Sequence, residues 1–238
     1  MAEIKKYKYS RTFNLPWSGS ESSDDVWWKD CSLFEGKEVV VSEKIDGECT
    51  TIYPDGKTHA RSVDSKHHPS RSWLKQFAAT FAYKIPEGFR ICGENVVALH
   101  SIFYTNLPSH FLVYGIYEND ICLSWTDTEY LCKELGLQTV PVLYKGIWDQ
   151  KKIVDMWTGQ GTYPTFELKE TIDLTQRSKQ YPDDFSPCVA EGYVVRLSGS
   201  FPYADFSKSC AKYVRPRHVK TSQHWMENQM IQNLLSET

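Results

Sequence analysis

Four ionisable residues stand in sequence surroundings that would ordinarily exclude them. Lys44 ends an apolar run in Ser42-Glu-Lys44-Ile-Asp-Gly47, and Glu94 lies in Arg90-Ile-Cys-Gly-Glu94-Asn95. Glu191 opens Glu191-Gly-Tyr-Val-Val-Arg196, and Lys212 is embedded in Cys210-Ala-Lys-Tyr-Val-Arg215. A charge flanked by apolar strand residues is a solvation problem, and several such charges resolve it together when they converge on one ligand. A lysine that loses its proton through desolvation or neighbouring cations becomes a nucleophile. Two carboxylates suit a divalent metal, and lysines suit phosphate oxygens. Gly47 would let the backbone pass close to a bulky ligand. Taken alone, Lys-Ile-Asp-Gly is a weak signal; the four segments together carry the weight.

The surrounding pattern supplies elements able to hold these groups. Glu38–Ser42 reads as a buried strand and Cys49–Tyr53 as its partner, with Pro54-Asp-Gly56 turning a hairpin into Thr58–Ser62. Trp73, Phe77 and Phe81 share one face of a helix over Ser72–Tyr83. Strands follow at Phe89–Cys92 and Phe111–Tyr117, then a helix opened by the capping box Thr126-Asp-Thr-Glu129 and closed by Gly136. A short helix over Asp149–Trp157 and strands at Cys188–Leu197 and Ala211–Val214 come next. The tail, Thr221–Glu237, carries Trp225, Met226, Met230, Ile231, Leu234 and Leu235 at helical spacing, which predicts a helix packed on the domain. Locally paired strands with helices between them indicate an α+β fold with mainly antiparallel sheets.

Composition bounds the classes. The 238 residues fit one large domain, here residues 1–220 with an N-terminal wrap over 1–36, followed by the tail at 221–238. A mean hydropathy of −0.47 with 14% aromatic content excludes a disordered chain. No apolar run reaches the ~18 residues of a membrane span, so no membrane association is expected. Seven scattered cysteines without a C-x-x-C pair argue against a zinc ribbon and for a reducing, cytoplasmic compartment. Neither Gly-x-Gly-x-x-Gly nor a Gly-Lys-[Ser/Thr] phosphate loop occurs. The net charge of −3 gives no overall sign of a nucleic-acid binder. Its distribution differs: Lys208, Lys212, Arg215, Arg217 and Lys220 form one basic segment, and Lys57, Arg61, Lys66, Arg71 and Lys75 another. Two basic stretches on an acidic chain can line a groove for a polyanion.

The order of these pieces resembles the covalent nucleotidyltransferase superfamily of polynucleotide ligases and mRNA capping enzymes, over roughly residues 38–220. Lys44-Ile-Asp-Gly47 looks like motif I, and Ala60-Arg61-Ser62 like motif Ia. Gly93-Glu94-Asn95 is similar to motif III, Phe111 in His110-Phe-Leu-Val-Tyr114 to motif IIIa, Glu191-Gly192 to motif IV and Lys212 to motif V. The stretches from Arg61 to Ser70, Gly93 to Ser101 and Ala211 to Arg215 resemble the ATP-dependent RNA ligases of phage and bacterial type. There are two departures: Cys49 stands where such ligases often carry a metal-organising Asn, and Cys210 where motif V often has a second lysine. Lys208 or Arg215 is the candidate substitute for that missing charge.

The resemblance implies a ligase adenylation domain without an OB-fold, acting as a monomer. It implies ATP and Mg2+ or Mn2+ as cofactors, and RNA 5′-phosphate and 3′-hydroxyl ends as partners. Lys44 would take AMP covalently, and Lys212 would contact the α-phosphate. Glu43, Arg61, Glu94, Phe111 and Glu191 would complete the nucleotide site, with Phe111 stacked on the purine. Glu191, joined by Asp46, would hold the metal. Arg61, Lys66, Lys208, Arg215 and Arg217 would grip the RNA backbone. A DNA ligase or guanylyltransferase of the same fold, and an RNA end-binding protein with a decayed site, are the alternatives.

Overall fold

The computed structural model describes residues 4–20, 25–64, 68–168, 185–218 and 230–237. In chain order come β1 (Phe13–Asn14), β2 (Glu38–Lys44), β3 (Glu48–Ile52), β4 (Thr58–Ala60), α1 (Pro69–Ala79), β5 (Phe89–Asn95), β6 (Phe103–Tyr104), β7 (Phe111–Glu118), β8 (Ile121–Cys122) and α2 (Trp125–Leu135). After them come β9 (Gln138–Thr139), β10 (Val142–Ile147), α3 (Gln150–Met156), β11 (Thr165–Leu168), β12 (Phe185–Pro187), β13 (Gly192–Leu197), β14 (Phe201–Pro202), α4 (Phe206–Ser209) and β15 (Cys210–Val214). The class is α+β with mainly antiparallel sheets flanked by helices, as in a nucleotidyltransferase adenylation domain. Parallel pairing occurs at β1–β15 and β7–β9.

One sheet has the order β1-β15-β13-β2-β10; a second runs β14-β8-β7-β5-β3-β4 with β9 beside β7; a small third joins β12, β11 and β6. Side chains alternate between the faces of a strand, so each of these sheets is two-sided in sequence. In the first sheet Val39, Val41, Tyr193, Val195 and Ala211 turn outward into a core with Trp28, Phe34, Trp148 and Ile153. The intervening Ser42, Lys44, Val194, Arg196, Cys210 and Lys212 therefore turn inward, where they line a cleft against the second sheet. The second sheet sends Ile52, Ile91, Phe111, Val113 and Ile116 toward α1, meeting Leu74 and Ala78.

Helix ends follow capping chemistry. His68 Nδ1 accepts from Ser70 N–H at 3.2 Å and caps α1. Ser124, rather than Thr126, caps α2: its Oγ accepts from Asp127 N–H at 3.1 Å, so the helix starts two residues earlier than the Thr126-x-x-Glu129 pattern implied. Gly136 closes it in the left-handed conformation, φ 69°.

The expected C-terminal helix is a correction where it can be seen. Residues 221–229 lie outside the described residues, but Met230–Glu237 run extended. Their backbone groups bond outward instead of along a helix. Leu99 N–H donates to Ile231 O at 2.8 Å, Asn233 N–H to Val97 O at 3.0 Å and Leu234 N–H to Tyr104 O at 2.8 Å. The fully buried Asn233 donates from Nδ2 to Val96 O at 2.9 Å, and its Oδ1 accepts from Tyr104 N–H at 2.9 Å. The apolar spacing of the tail is thus spent on an extended clasp around the 96–107 loop.

Candidate active site

Lys44 ends β2, an interior strand of the first sheet, opposite Gly192 of β13. That register brings Glu191 to it: Lys44 Nζ and Glu191 Oε2 are 2.7 Å apart, with side chains 25% and 8% exposed. Glu94 approaches from β5. Burial disfavours the Lys44 ammonium, but Glu191, Glu94 and Asp46 outweigh it and hold the amine well above the ordinary lysine range. Glu94 goes the other way: burial pushes its carboxyl up to about 8 against the favourable field of Lys44, with Glu191 adding to the rise. The site therefore holds a protonated lysine among acids.

The turn after Lys44 is fixed by hydrogen bonds. Asp46 N–H donates to Tyr104 Oη at 2.9 Å. Asp46 Oδ2 accepts from Ser101 N–H at 2.8 Å, Ser101 Oγ–H at 2.7 Å and Ile102 N–H at 2.8 Å. Burial alone would raise this carboxyl; His218, His100 and Ser101 outweigh that and keep it far below the usual carboxylate range. A Cβ on Gly47 would lie 2.7 Å from Asn95 O and 2.7 Å from Val96 Cγ1. The glycine thus makes room for the backbone of β5, not for a ligand as its position suggested. At Gly192 a Cβ would meet Tyr213 O at 2.0 Å, so the residue beside Glu191 is also held to glycine by close strand approach.

Asp46, Glu191 and His218 present one donor atom each within 4.8 Å of one another. Two carboxylates and an imidazole are a donor set that fits a divalent cation. Glu191 and Asp46 were expected there from sequence; His218 was not, because a histidine in a polar turn has no distinguishing spacing.

The second half of the cleft is lined by Lys44, Glu94, Arg61, Cys49, Tyr114, Cys210 and Lys212 around a cavity of ≈ 220 Å³. Its outer wall is the N-terminal strap, where Tyr9–Thr12 and Asp25 line the same space. The strap is held by β1 pairing with β15 and by Tyr9, whose ring meets Tyr114 and Phe206 edge-on at 5.2 Å. Lys212 Nζ lies 3.1 Å from Asp25 Oδ1. Small-ligand pockets commonly measure ~300–1,000 Å³, so the strap leaves this one narrow.

Several expected contributors lie elsewhere. Phe111 is fully buried in the core under α1, on the face of β7 opposite Glu94. A bulge displaces the register between Cys92 and Gly93, leaving Tyr114 between the partners Val113 and Gly115. Tyr114 and Tyr117 are the β7 aromatics that line the cleft, and the Tyr114 hydroxyl donates to Cys49 Sγ at 2.9 Å. Glu43, next to Lys44, points to the other side: its Oε2 accepts from Thr162 N–H at 2.7 Å, and its Oε1 is buried without a partner. Lys66 lies outside the described residues. Lys208 pairs with Asp205 at 2.8 Å on α4, and Arg215 donates to Ala190 O at 3.2 Å, so neither replaces the charge absent at Cys210. The inward cation beside Cys210 is Arg196, buried and donating to Leu123 O at 2.6 Å as well as lying over the Phe201 ring. Arg217 is exposed with φ 55° and turns the chain toward His218.

The chain matches the RNA ligase family model over residues 37–214. It belongs to the RNA ligase family. The matched span contains β2, β13 and β15, the acids Asp46, Glu94 and Glu191, and the lysines Lys44 and Lys212. No curated protein matches. Among solved structures, a mutant of Naegleria gruberi RNA ligase with ATP and Mn is 14% identical, covering 78% of this chain and 52% of that one at a TM-score of 0.49. An apo mutant of the same ligase is 16% identical, covering 78% and 51% at 0.49, and its complex with PPi is 14% identical, covering 78% and 51% at 0.46. The chain spans about half the length of these structures. The family model assigns no phage or bacterial subgroup.

Proposed function

We propose that the chain seals RNA ends through an adenylylated lysine. The observation that carries this reading is the placement of Lys44, an amine at the end of an interior strand that faces Glu191 and Glu94 and opens on a cleft also lined by Arg61 and Lys212. In the first step Lys44 Nζ attacks the α-phosphorus of ATP. The ammonium first loses one proton to leave the neutral amine; an N–P bond then forms, the bond from the α-phosphorus to the bridging oxygen breaks, pyrophosphate leaves with that electron pair, and the nitrogen gives up a second proton. Glu191 Oε2, 2.7 Å from that nitrogen, is the carboxylate placed to take the first of these protons. Lys212 and Arg61 are positioned to offset the charge that develops on the phosphate oxygens.

The adenylate then passes to an RNA 5′-phosphate with release of Lys44, and an RNA 3′-hydroxyl displaces AMP to form the phosphodiester. Each displacement has a good leaving group, which is the advantage of the covalent route. Asp46 and Glu191 would hold a divalent ion beside Lys44. Such an ion supplies positive charge to the phosphates and weakens the acidic field that keeps the lysine protonated.

Incubation with ATP labelled in the α-phosphate should give a labelled polypeptide that Lys44→Ala and Lys44→Arg abolish, because a guanidinium does not deprotonate. Absence of an adduct with both magnesium and manganese overturns the proposal. Labelling by GTP instead, or sealing of nicked DNA in preference to nicked RNA, moves the chain to the guanylyltransferase or DNA-ligase chemistry of the same superfamily.

A further inference from the structure

We infer that His218 is a direct nitrogen ligand of the divalent ion, making this centre selective for manganese-like ions over magnesium. The inference deepens the metal site of the preceding section and is tested without its chemistry. Asp46 Oδ2 is already saturated by Ser101 and Ile102, and Glu191 Oε2 by Lys44. The atoms left over are Asp46 Oδ1 and Glu191 Oε1, and His218 Nε2 faces both at 3.7 and 3.6 Å. These separations exceed good hydrogen bonds of ~2.7–3.2 Å. They approach the ~3.0–3.5 Å that separates neighbouring donors each ~2.1 Å from one ion.

The imidazole is placed for this and little else. Its side chain is 8% exposed, and Nδ1 is buried without a hydrogen-bond partner, so its polar contacts are at Nε2. Ser101 Oγ lies 3.3 Å from Nε2, but its proton is directed to Asp46 at 2.7 Å. Two carboxylate oxygens facing a ring nitrogen call for a positive charge, carried either by an ion bound to all three or by the ring itself. The backbone is bent to set this up: Arg217, immediately before His218, adopts φ 55° although it is not glycine, a conformation retained where the surrounding structure demands it. Imidazole nitrogen is a poor ligand for magnesium and a good one for manganese and later transition ions.

The test uses the full chain with metal ions alone, without ATP or RNA. Titration of Mn2+ and Mg2+ by calorimetry should show tighter Mn2+ binding, by about tenfold or more. His218→Ala should weaken Mn2+ by about ten- to a hundredfold and Mg2+ by less than about threefold. In protein grown with 15N-histidine, pulsed electron paramagnetic resonance of bound Mn2+ should show a directly coordinated histidine nitrogen, and that coupling should vanish in His218→Ala. The wild-type spectrum needs no variant to fold. Mn2+ bound without nitrogen coupling, coupling that survives His218→Ala, equal Mn2+ and Mg2+ affinities, or no ion bound at all would each overturn the assignment. In those cases His218 serves only as a cationic partner of the two carboxylates. A failure to form lysyl-AMP leaves this result untouched, since no nucleotide takes part.

Discussion

Asp25 Oδ1 of the N-terminal strap lies 3.1 Å from Nζ of Lys212 at the cleft wall, and both side chains are largely buried, at 10% and 19% exposure. A carboxylate of the chain itself thus occupies the lysine that a phosphate would need. In the proposed reading the strap and a nucleotide compete for one cation.

Asp25→Asn keeps the shape of the strap and removes the competing charge. The Kd for ATP should fall about three- to tenfold, equivalent to ~0.7–1.4 kcal/mol, in an equilibrium titration at low salt. Unchanged or weaker binding would show that the strap closes over the cleft without opposing the ligand.

Glu94 gives the ligand-free protein a pH dependence. Its folded-state value of about 8 exceeds the ordinary 4.5, so between those limits the folded state holds a proton that the unfolded chain releases. Stability from this group is therefore complete below about pH 4.5 and is lost as pH rises through 8. Glu94→Gln removes the loss. Thermal unfolding of the variant should match the wild type near pH 5 and exceed it by a few degrees, ~1 kcal/mol or more, near pH 8.5. A difference that stays constant across that range would contradict the buried, proton-binding carboxyl.

Gly47→Ala drives a Cβ against Asn95 O and Val96 Cγ1 at 2.7 Å. Both belong to well-packed surroundings, so the variant should lose about 1–3 kcal/mol in a denaturant titration. A neutral effect would mean that the Lys44 turn and β5 can separate.

Phe111 lies in the core and Tyr114 lines the cleft, so in the proposed reading the nucleotide contact expected of Phe111 falls to Tyr114. Phe111→Leu should lower the melting temperature and leave the Kd for ATP within about twofold, since the ring packs under α1. Tyr114→Leu should weaken ATP about three- to tenfold, the range of one aromatic contact of ~0.5–1.5 kcal/mol. The reverse pattern would restore Phe111 to the nucleotide.

The legible part of the site lies on regular strands. Lys44 and Lys212 announce themselves because β2 and β15 alternate strictly, and a charge out of step with Val39, Val41 or Ala211 must face the other side; Glu191 lies just before β13 and is marked only by opening that apolar strand. Glu94 is read in the same way on β5. Legibility ends where alternation is interrupted. The bulge at Tyr114 shifts which β7 ring meets the cleft, and nothing in His110-Phe-Leu-Val-Tyr114 marks an extra residue. His218 reaches Asp46 through a left-handed turn at Arg217, a residue type that does not advertise that conformation. Asp25 is one acid among many until β1 pairs with β15 and carries it to Lys212. In the tail, apolar spacing suits a helix, but hydrogen bonds from the 96–107 loop reach Met230–Glu237 first.

The strand that carries Lys44 sits between β10 and β13, whose residues arrive in the chain roughly 100 and 150 positions later. At ~5–20 residues per second, a ribosome needs about 10–30 seconds to deliver the second of these neighbours. Through that interval Val39, Val40 and Val41 have no finished sheet to enter, and both edges of their strand are open to any passing chain. Lys44 is thus synthesised well before the strands that enclose it, which leaves its segment of the nascent polypeptide open to chaperone capture.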